Sequence, residues 1–173
     1  LNDLLHTTNE NDFNKLFSRI EKYENISDNM ELEIANYLNM VSEGRLSSES
    51  KLEIRGMLRE VTEIESIGDS CYNLARTINR KRSGGNDFTE KQYEHIHQMM
   101  QLTSDALAHM IAVVEDEHHV VDVNKSFNIE NEINNYRAQL KNQNVVDVNN
   151  KEYDYQMGVH YMDIIGECEK LGD

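Results

Sequence analysis

Residues 65–69 read Glu-Ser-Ile-Gly-Asp and residues 169–173 read Glu-Lys-Leu-Gly-Asp. Each is a Glu-x-x-x-Asp pair with Gly directly before the Asp, each closes an apolar helical run, and the two stand 104 positions apart. Residues four apart share a helix face, so Glu65 and Asp69, like Glu169 and Asp173, disfavour each other by roughly 0.2–0.5 kcal/mol when exposed. Burial sharpens the conflict, because an ionised carboxylate taken out of water must find a cation or take up a proton. A multivalent cation is the simplest remedy. An Arg or Lys from a neighbouring helix is the other.

Leu58, Val61, Glu65, Gly68, Tyr72 and Ala75 follow alternating steps of three and four, the spacing of core-facing positions, and Met162, Ile165, Glu169 and Gly172 repeat it. In both stretches Glu replaces a hydrophobe and Gly takes the next step, where the lack of a side chain lets a neighbouring helix or an ion come close. A matching interruption lies upstream: Phe17, Ile20, Glu24, Ser27, Glu31, Ile34, Leu38 and Val41 keep the seam steps, yet the middle three are polar and Asp28 sits beside them. Two such helices face to face would bring Glu24, Asp28 and Glu31 toward Glu65 and Asp69. The donors are all oxygens, with no His or Cys among them, which favours Mg, Ca, Mn or Fe over a structural Zn site.

The elements that must position these groups are helices. The 173 residues contain no Pro to break a helix from inside, and 3.6-residue periodicity dominates over strand-like alternation. A first long helix carries Phe13, Leu16, Phe17, Ile20, Tyr23, Ile34, Leu38 and Val41 and ends near Gly44. A second opens at a Ser50-x-x-Glu53 capping box, carries Leu58, Val61, Ile64, Ile67, Leu74 and Ile78, and stops at RKRSGGN, residues 80–86. A third follows Asp87-x-x-Glu90 through Tyr93, Ile96, Met99, Leu107, Met110 and Val114 to a weak break at 115–119. A fourth carries Phe127, Ile133, Tyr136 and Leu140 as far as the polar stretch at 142–150. A fifth, capped by Asn149-x-x-Glu152, carries Tyr155, Val159, Met162, Ile165 and Cys168.

A formal charge of −15 excludes nucleic acid and an anionic membrane surface as direct partners and points to cations. The two cysteines, Cys71 and Cys168, make no disulfide framework. No apolar run approaches the roughly 20 residues that span a bilayer, so the chain is expected to be soluble. It lacks an initiating Met and stops at Asp173 in mid-pattern, and is expected to be a piece of something longer.

The chain is also duplicated. Asp28-Asn29-Met30-Glu31 stands 37 residues ahead of Glu65, and Asn131-Glu132-Ile133-Asn134 stands 38 ahead of Glu169. The expected units are a first repeat at 1–82, a linker at 83–87 and a second repeat at 88–173. The first would begin partway through its opening helix, and the second would end partway through its last.

These residues resemble the PhoU family, whose repeat carries Glu(Asp)-x-x-x-Asp signatures. More narrowly, EIESIGDSCYNLARTINRK, FNIENEINNYRAQL and YMDIIGECEK resemble the PhoU-like domain at the C-terminus of bacterial sodium-dependent phosphate transporters. The resemblance implies an all-α fold of two tandem antiparallel three-helix bundles, each with a multinuclear iron, zinc or similar cluster on its acidic face. It implies a part in controlling phosphate uptake at the cytoplasmic face of the bacterial inner membrane, next to the transmembrane part of the transporter; a homo-oligomer is compatible with it. The signature maps to Glu65 and Asp69, then to Glu169 and Asp173. The upstream element maps to Asp28 and Glu31, then to Asn131 and Asn134. Amides thus replace carboxylates in the second repeat, and the first is expected to bind metal more tightly.

Other readings are weaker. Glu94-x-x-His97 and Glu115-x-x-His118 match the Glu-x-x-His element of di-iron carboxylate enzymes, but on one helix their 21-residue separation is roughly 31 Å, too far to share a site. His95, His97, His109, His118, His119 and His160 read as packing or solvent residues. No nucleophile, base and oxyanion arrangement is visible, so the chain reads as no enzyme. The remaining alternatives are a stand-alone regulator of phosphate uptake and a metal-free helical scaffold docking a basic partner.

Overall fold

The computed structural model describes residues 1–115 and 123–172. Among the described residues the order is α1 (Asn2–His6), α2 (Glu10–Ser42), α3 (Ser48–Ser83), α4 (Glu90–Glu115), α5 (Val123–Asn149) and α6 (Tyr155–Gly172), with no strand. The fold is an all-α helical bundle, as expected. No helix among these residues is long and apolar enough to cross a membrane.

Helices α2, α3, α4 and α6 begin where a polar side chain takes up an orphan backbone N–H. Asn9 Oδ1 accepts from Asn11 N at 2.9 Å and Asp12 N at 3.2 Å and so starts α2. Ser47 Oγ accepts from Ser50 N at 3.1 Å and starts α3, so Ser50 lies inside the helix and is not the cap of a Ser50–Glu53 box. Thr89 and Gln92 cap α4 reciprocally: Gln92 N donates to Thr89 Oγ1 at 3.2 Å and Thr89 N to Gln92 Oε1 at 3.0 Å. This replaces the Asp87–Glu90 pair, because Asp87 is engaged by Lys81, Tyr93 and its neighbour's Phe88 N. Asp154 Oδ1 accepts from Met157 N at 2.7 Å and starts α6, in place of Asn149 and Glu152. The reason is that α5 does not stop at the polar stretch but runs through it to Asn149, aided by an i,i+4 bond from Gln143 to Asp147 at 2.7 Å. The chain then turns through Lys151 at φ 61°. The break expected at 115–119 falls largely outside the described residues, as do His118 and His119.

Two compact units divide the chain inside α3, upstream of the linker expected at 83–87: Leu1 with Asp3–Tyr72, and Asn2 with the residues from Asn73 onward. In the first unit α2 and α3 run antiparallel. Thr62 donates to Glu31 at 2.8 Å, Tyr72 to Glu21 at 3.1 Å, and the rings of Phe17 and Tyr72 lie 6.0 Å apart. Phe13, Leu38 and Ile54 are buried. Several residues expected in the core are not: Tyr23, Ile34, Val41 and Ile64 are exposed. Tyr23, Met30 and Tyr37 each immediately precede a seam residue on α2, and Met57 and Ile64 do so on α3. In an antiparallel pair those positions lie on the same flank, so the hairpin carries one exposed apolar side, with Tyr37 at 67% and Met40 at 72% exposure.

The second unit is an up-down-up bundle. Residues of α4 and α6 meet in parallel, as Thr103 Oγ1 to Cys168 O at 2.9 Å and His95 Nδ1 to Tyr161 OH at 2.8 Å show, while α5 runs antiparallel to both. Ile96, Met99, Ile133, Leu140, Tyr161, Ile164, Ile165 and Cys168 are almost completely enclosed. The Ile, Leu and Met side chains among them contribute on the order of 1.5–3 kcal/mol each by leaving water. Phe127, Met110, Val114, Tyr155 and Val159, also expected inside, lie on the surface. The last turns of α3 belong to this unit and bury Leu74, Ala75 and Ile78. Lys81 is buried there too, paired with Asp87 and set 4.6 Å over the Phe88 ring.

Candidate metal centre

The polar blocks of α2 and α3 meet as the spacing predicts. Gly68 lies against Ser27: a Cβ at Gly68 would stand 3.2 Å from Ser27 Oγ. That close approach sets the α2 carboxylates opposite those of α3. Burial holds the Glu65 carboxyl above the ordinary range, followed by the charges of Asp69, Glu31 and Asp28 and a hydrogen bond with Asp28. Glu24 is raised as well, by burial first, then by Asp28, Asp69 and Glu21. Each feels carboxylates of both helices, so Glu24, Asp28, Glu31, Glu65 and Asp69 form one electrostatic group.

Their setting is nevertheless wetter than the seam steps imply. Glu24, Glu31 and Glu65 are half-buried, while Asp28 and Asp69 are exposed. Among the described residues, none of the five makes an ion pair with Lys or Arg. Nor do any three His, Cys, Asp or Glu side chains there stand as a ready set for one ion. The donor set therefore fits a hard cation in chemistry and charge, but it is not preassembled.

The second acidic doublet has a different setting. Glu169 is half-buried and faces Arg137, whose Nε lies 3.5 Å from Glu169 Oε2. Asn131 is exposed on α5 and Asn134 half-buried. Asp173 lies outside the described residues. Gly172 again marks a close approach, since an added Cβ would overlap Cδ1 of Ile133. So the doublet that the sequence presents twice meets carboxylates in one place and a guanidinium in the other.

Sequence reasoning missed Arg137. The signal was available: Ile133, Arg137 and Leu140 take seam steps of four and three, which puts a charge at a core-facing position. Two histidines make hydrogen bonds, His95 Nδ1 with Tyr161 OH at 2.8 Å and His109 Nε2 with Ser126 Oγ at 3.1 Å. Glu94 and His97 are exposed on α4. Cys168 is buried and Cys71 half-buried, and neither forms a disulfide among the described residues.

Taken together, these features define an acidic, all-helical protein with a carboxylate group gathered between two antiparallel helices. The family model of the PhoU domain matches residues 1–78, and this stretch is a PhoU-like domain. The match takes in α2, most of α3 and all five carboxylates of the first group. No curated protein and no solved structure matches the chain. The PhoU family is regulatory and not enzymatic, and its role is tied to phosphate.

Proposed function

We propose that this chain is a metal-binding regulatory domain of a sodium/phosphate cotransporter, lying at the cytoplasmic face of the bacterial inner membrane and modulating phosphate uptake through contacts with the transmembrane part. One observation supports it above others: Glu24, Asp28 and Glu31 of α2 meet Glu65 and Asp69 of α3 with no Lys or Arg paired to them among the described residues, inside the stretch that matches the PhoU domain. Those five residues would hold a divalent or trivalent ion, whether iron, zinc, manganese, magnesium or calcium. A bound ion would supply the positive charge the set lacks. Because the carboxylates are not preassembled, loading has to draw α2 and α3 into a tighter arrangement, and a hairpin whose stiffness follows metal supply can bias a neighbouring machine.

The test is a metal titration of the 173-residue chain with the Glu65→Ala/Asp69→Ala variant alongside. A ligand at a hundred times its Kd stabilises the folded form by about 2.7 kcal/mol, so the wild-type thermal midpoint should rise with metal and fall with chelator. The variant should show neither shift. Equal metal uptake by both proteins would refute the site. For the transporter context, deletion of the domain from the full-length protein should alter phosphate uptake or its regulation. A second reading, a metal-free acidic scaffold docking a basic partner, draws support from the exposure of Asp28 and Asp69. It predicts a midpoint indifferent to metal and chelator.

A further inference from the structure

We propose that Arg137 is the resident cation of the second repeat, standing against Glu169 where the first repeat would take a metal ion. The contrast rests on the metal reading of the first repeat; the evidence for Arg137 does not. Its Nε lies 3.5 Å from Glu169 Oε2, and the Glu169 side chain is only 20% exposed. That nitrogen is buried without a hydrogen-bond partner among the described residues, so the contact is one of charge. Arg137 also sits at a seam step of α5, between Ile133 and Leu140, both enclosed. Its charge is thus directed into the α5–α6 contact and not simply hung on the solvent face.

Two features beside the pair leave little for an ion to do. In the sequence, Asn131 and Asn134 take the positions that Asp28 and Glu31 hold in the first repeat, so α5 carries amides there in place of carboxylates. One helical step from Glu169, Gly172 is packed against Ile133 so closely that a methyl group would overlap it. The corresponding Gly68 faces the small, polar Ser27. An apolar side chain therefore fills the second seam at the point where the first has a hydroxyl. A guanidinium is permanently charged and covalently held, so neutralisation of this repeat is independent of metal supply.

A double-mutant cycle tests this on the full 173-residue chain in EDTA, with Arg137→Gln, Glu169→Gln and the double variant followed by circular dichroism. Arg137→Gln should lower the thermal midpoint because it strands a half-buried carboxylate. Adding Glu169→Gln should recover part of the loss, and Arg137→Lys should keep most of the wild-type midpoint. In parallel, manganese(II) bound per wild-type chain should be unchanged by Glu169→Gln. Strictly additive losses in the cycle, or manganese(II) uptake that falls with Glu169→Gln, would overturn the proposal. If the wild type takes up no manganese(II), the metal reading of the first repeat fails by itself, and the cycle still decides whether Arg137 neutralises Glu169.

Discussion

In the α2–α3 hairpin Glu65 meets Asp28 across the seam; in the α5–α6 hairpin Glu169 meets Arg137. Both glutamates belong to the same five-residue signature, with Gly at the same place, and both glycines mark a close helix approach. What differs is the residue opposite and the packing around it. The α5–α6 seam is lined by enclosed Ile133, Leu140, Ile164, Ile165 and Cys168 and is covered by α4. Along α2 and α3 a polar block interrupts the stripe, and only Phe13, Leu38 and Ile54 are buried apolar side chains of those helices up to Tyr72. The same local signature therefore sits in a seam that holds itself together and in one that gathers negative charge with no ion pair to Lys or Arg among the described residues. Its chemistry is decided by its neighbours across the seam.

The sharpest way to break this contrast is through packing. Ile164→Ala should cost about 2–5 kcal/mol, as core truncations do, whereas Ile64→Ala, exposed on α3, should stay within about 0.5 kcal/mol. Denaturant unfolding of both variants measures the difference, and equal losses would erase the distinction. The glycines come next. Gly172→Ala should destabilise by about 1–3 kcal/mol, since the added methyl overlaps Ile133 and overpacking is costly. Gly68→Ala meets Ser27 Oγ at 3.2 Å and Ser27 Cβ at 3.3 Å, tight contacts without overlap, and a gain in helix propensity of up to about 1 kcal/mol offsets them. It should be close to neutral in the same assay.

The smallest effect is electrostatic. Glu24 and Glu65 have carboxyl pKa values raised in the folded chain. A group raised on folding binds more protons in the folded than in the unfolded state, so its contribution is complete below the unfolded pKa and is lost as pH rises through the folded one. The metal-free chain should therefore gain stability as the pH falls from neutral toward the ordinary carboxylate value of 4.5. The Glu24→Gln/Glu65→Gln variant should gain less over that window. Midpoints recorded against pH in chelator check this; identical slopes would mean that the carboxylates do not feel one another.

Much of this was legible in the sequence because it depends on local periodicity. The long helices, the facing polar blocks of α2 and α3, and the role of Gly68 follow from steps of three and four. Three of the caps were misplaced, since serine, threonine and aspartate compete for such positions within a few residues and the winner depends on tertiary contacts. Asp87 was lost to α4 because Lys81 holds it. The extent of α5 was underestimated because asparagine and valine are poor helix formers, yet Val148 packs beside Gly158 and keeps the last turns in place. Exposure was the hardest property to foresee. Periodicity marks a stripe as apolar without saying whether anything lies against it, so Tyr23, Ile34 and Ile64 read the same as Phe13 and Leu38.

The uncovered strip of Tyr23, Met30, Tyr37, Met57 and Ile64 has a practical corollary. Contiguous greasy surface of that kind captures small aromatic reporters, so an environment-sensitive dye should already glow on the intact chain at ambient temperature. Heating would then begin from a high baseline, and melting curves taken by fluorescent dye would misplace transitions that ellipticity records faithfully.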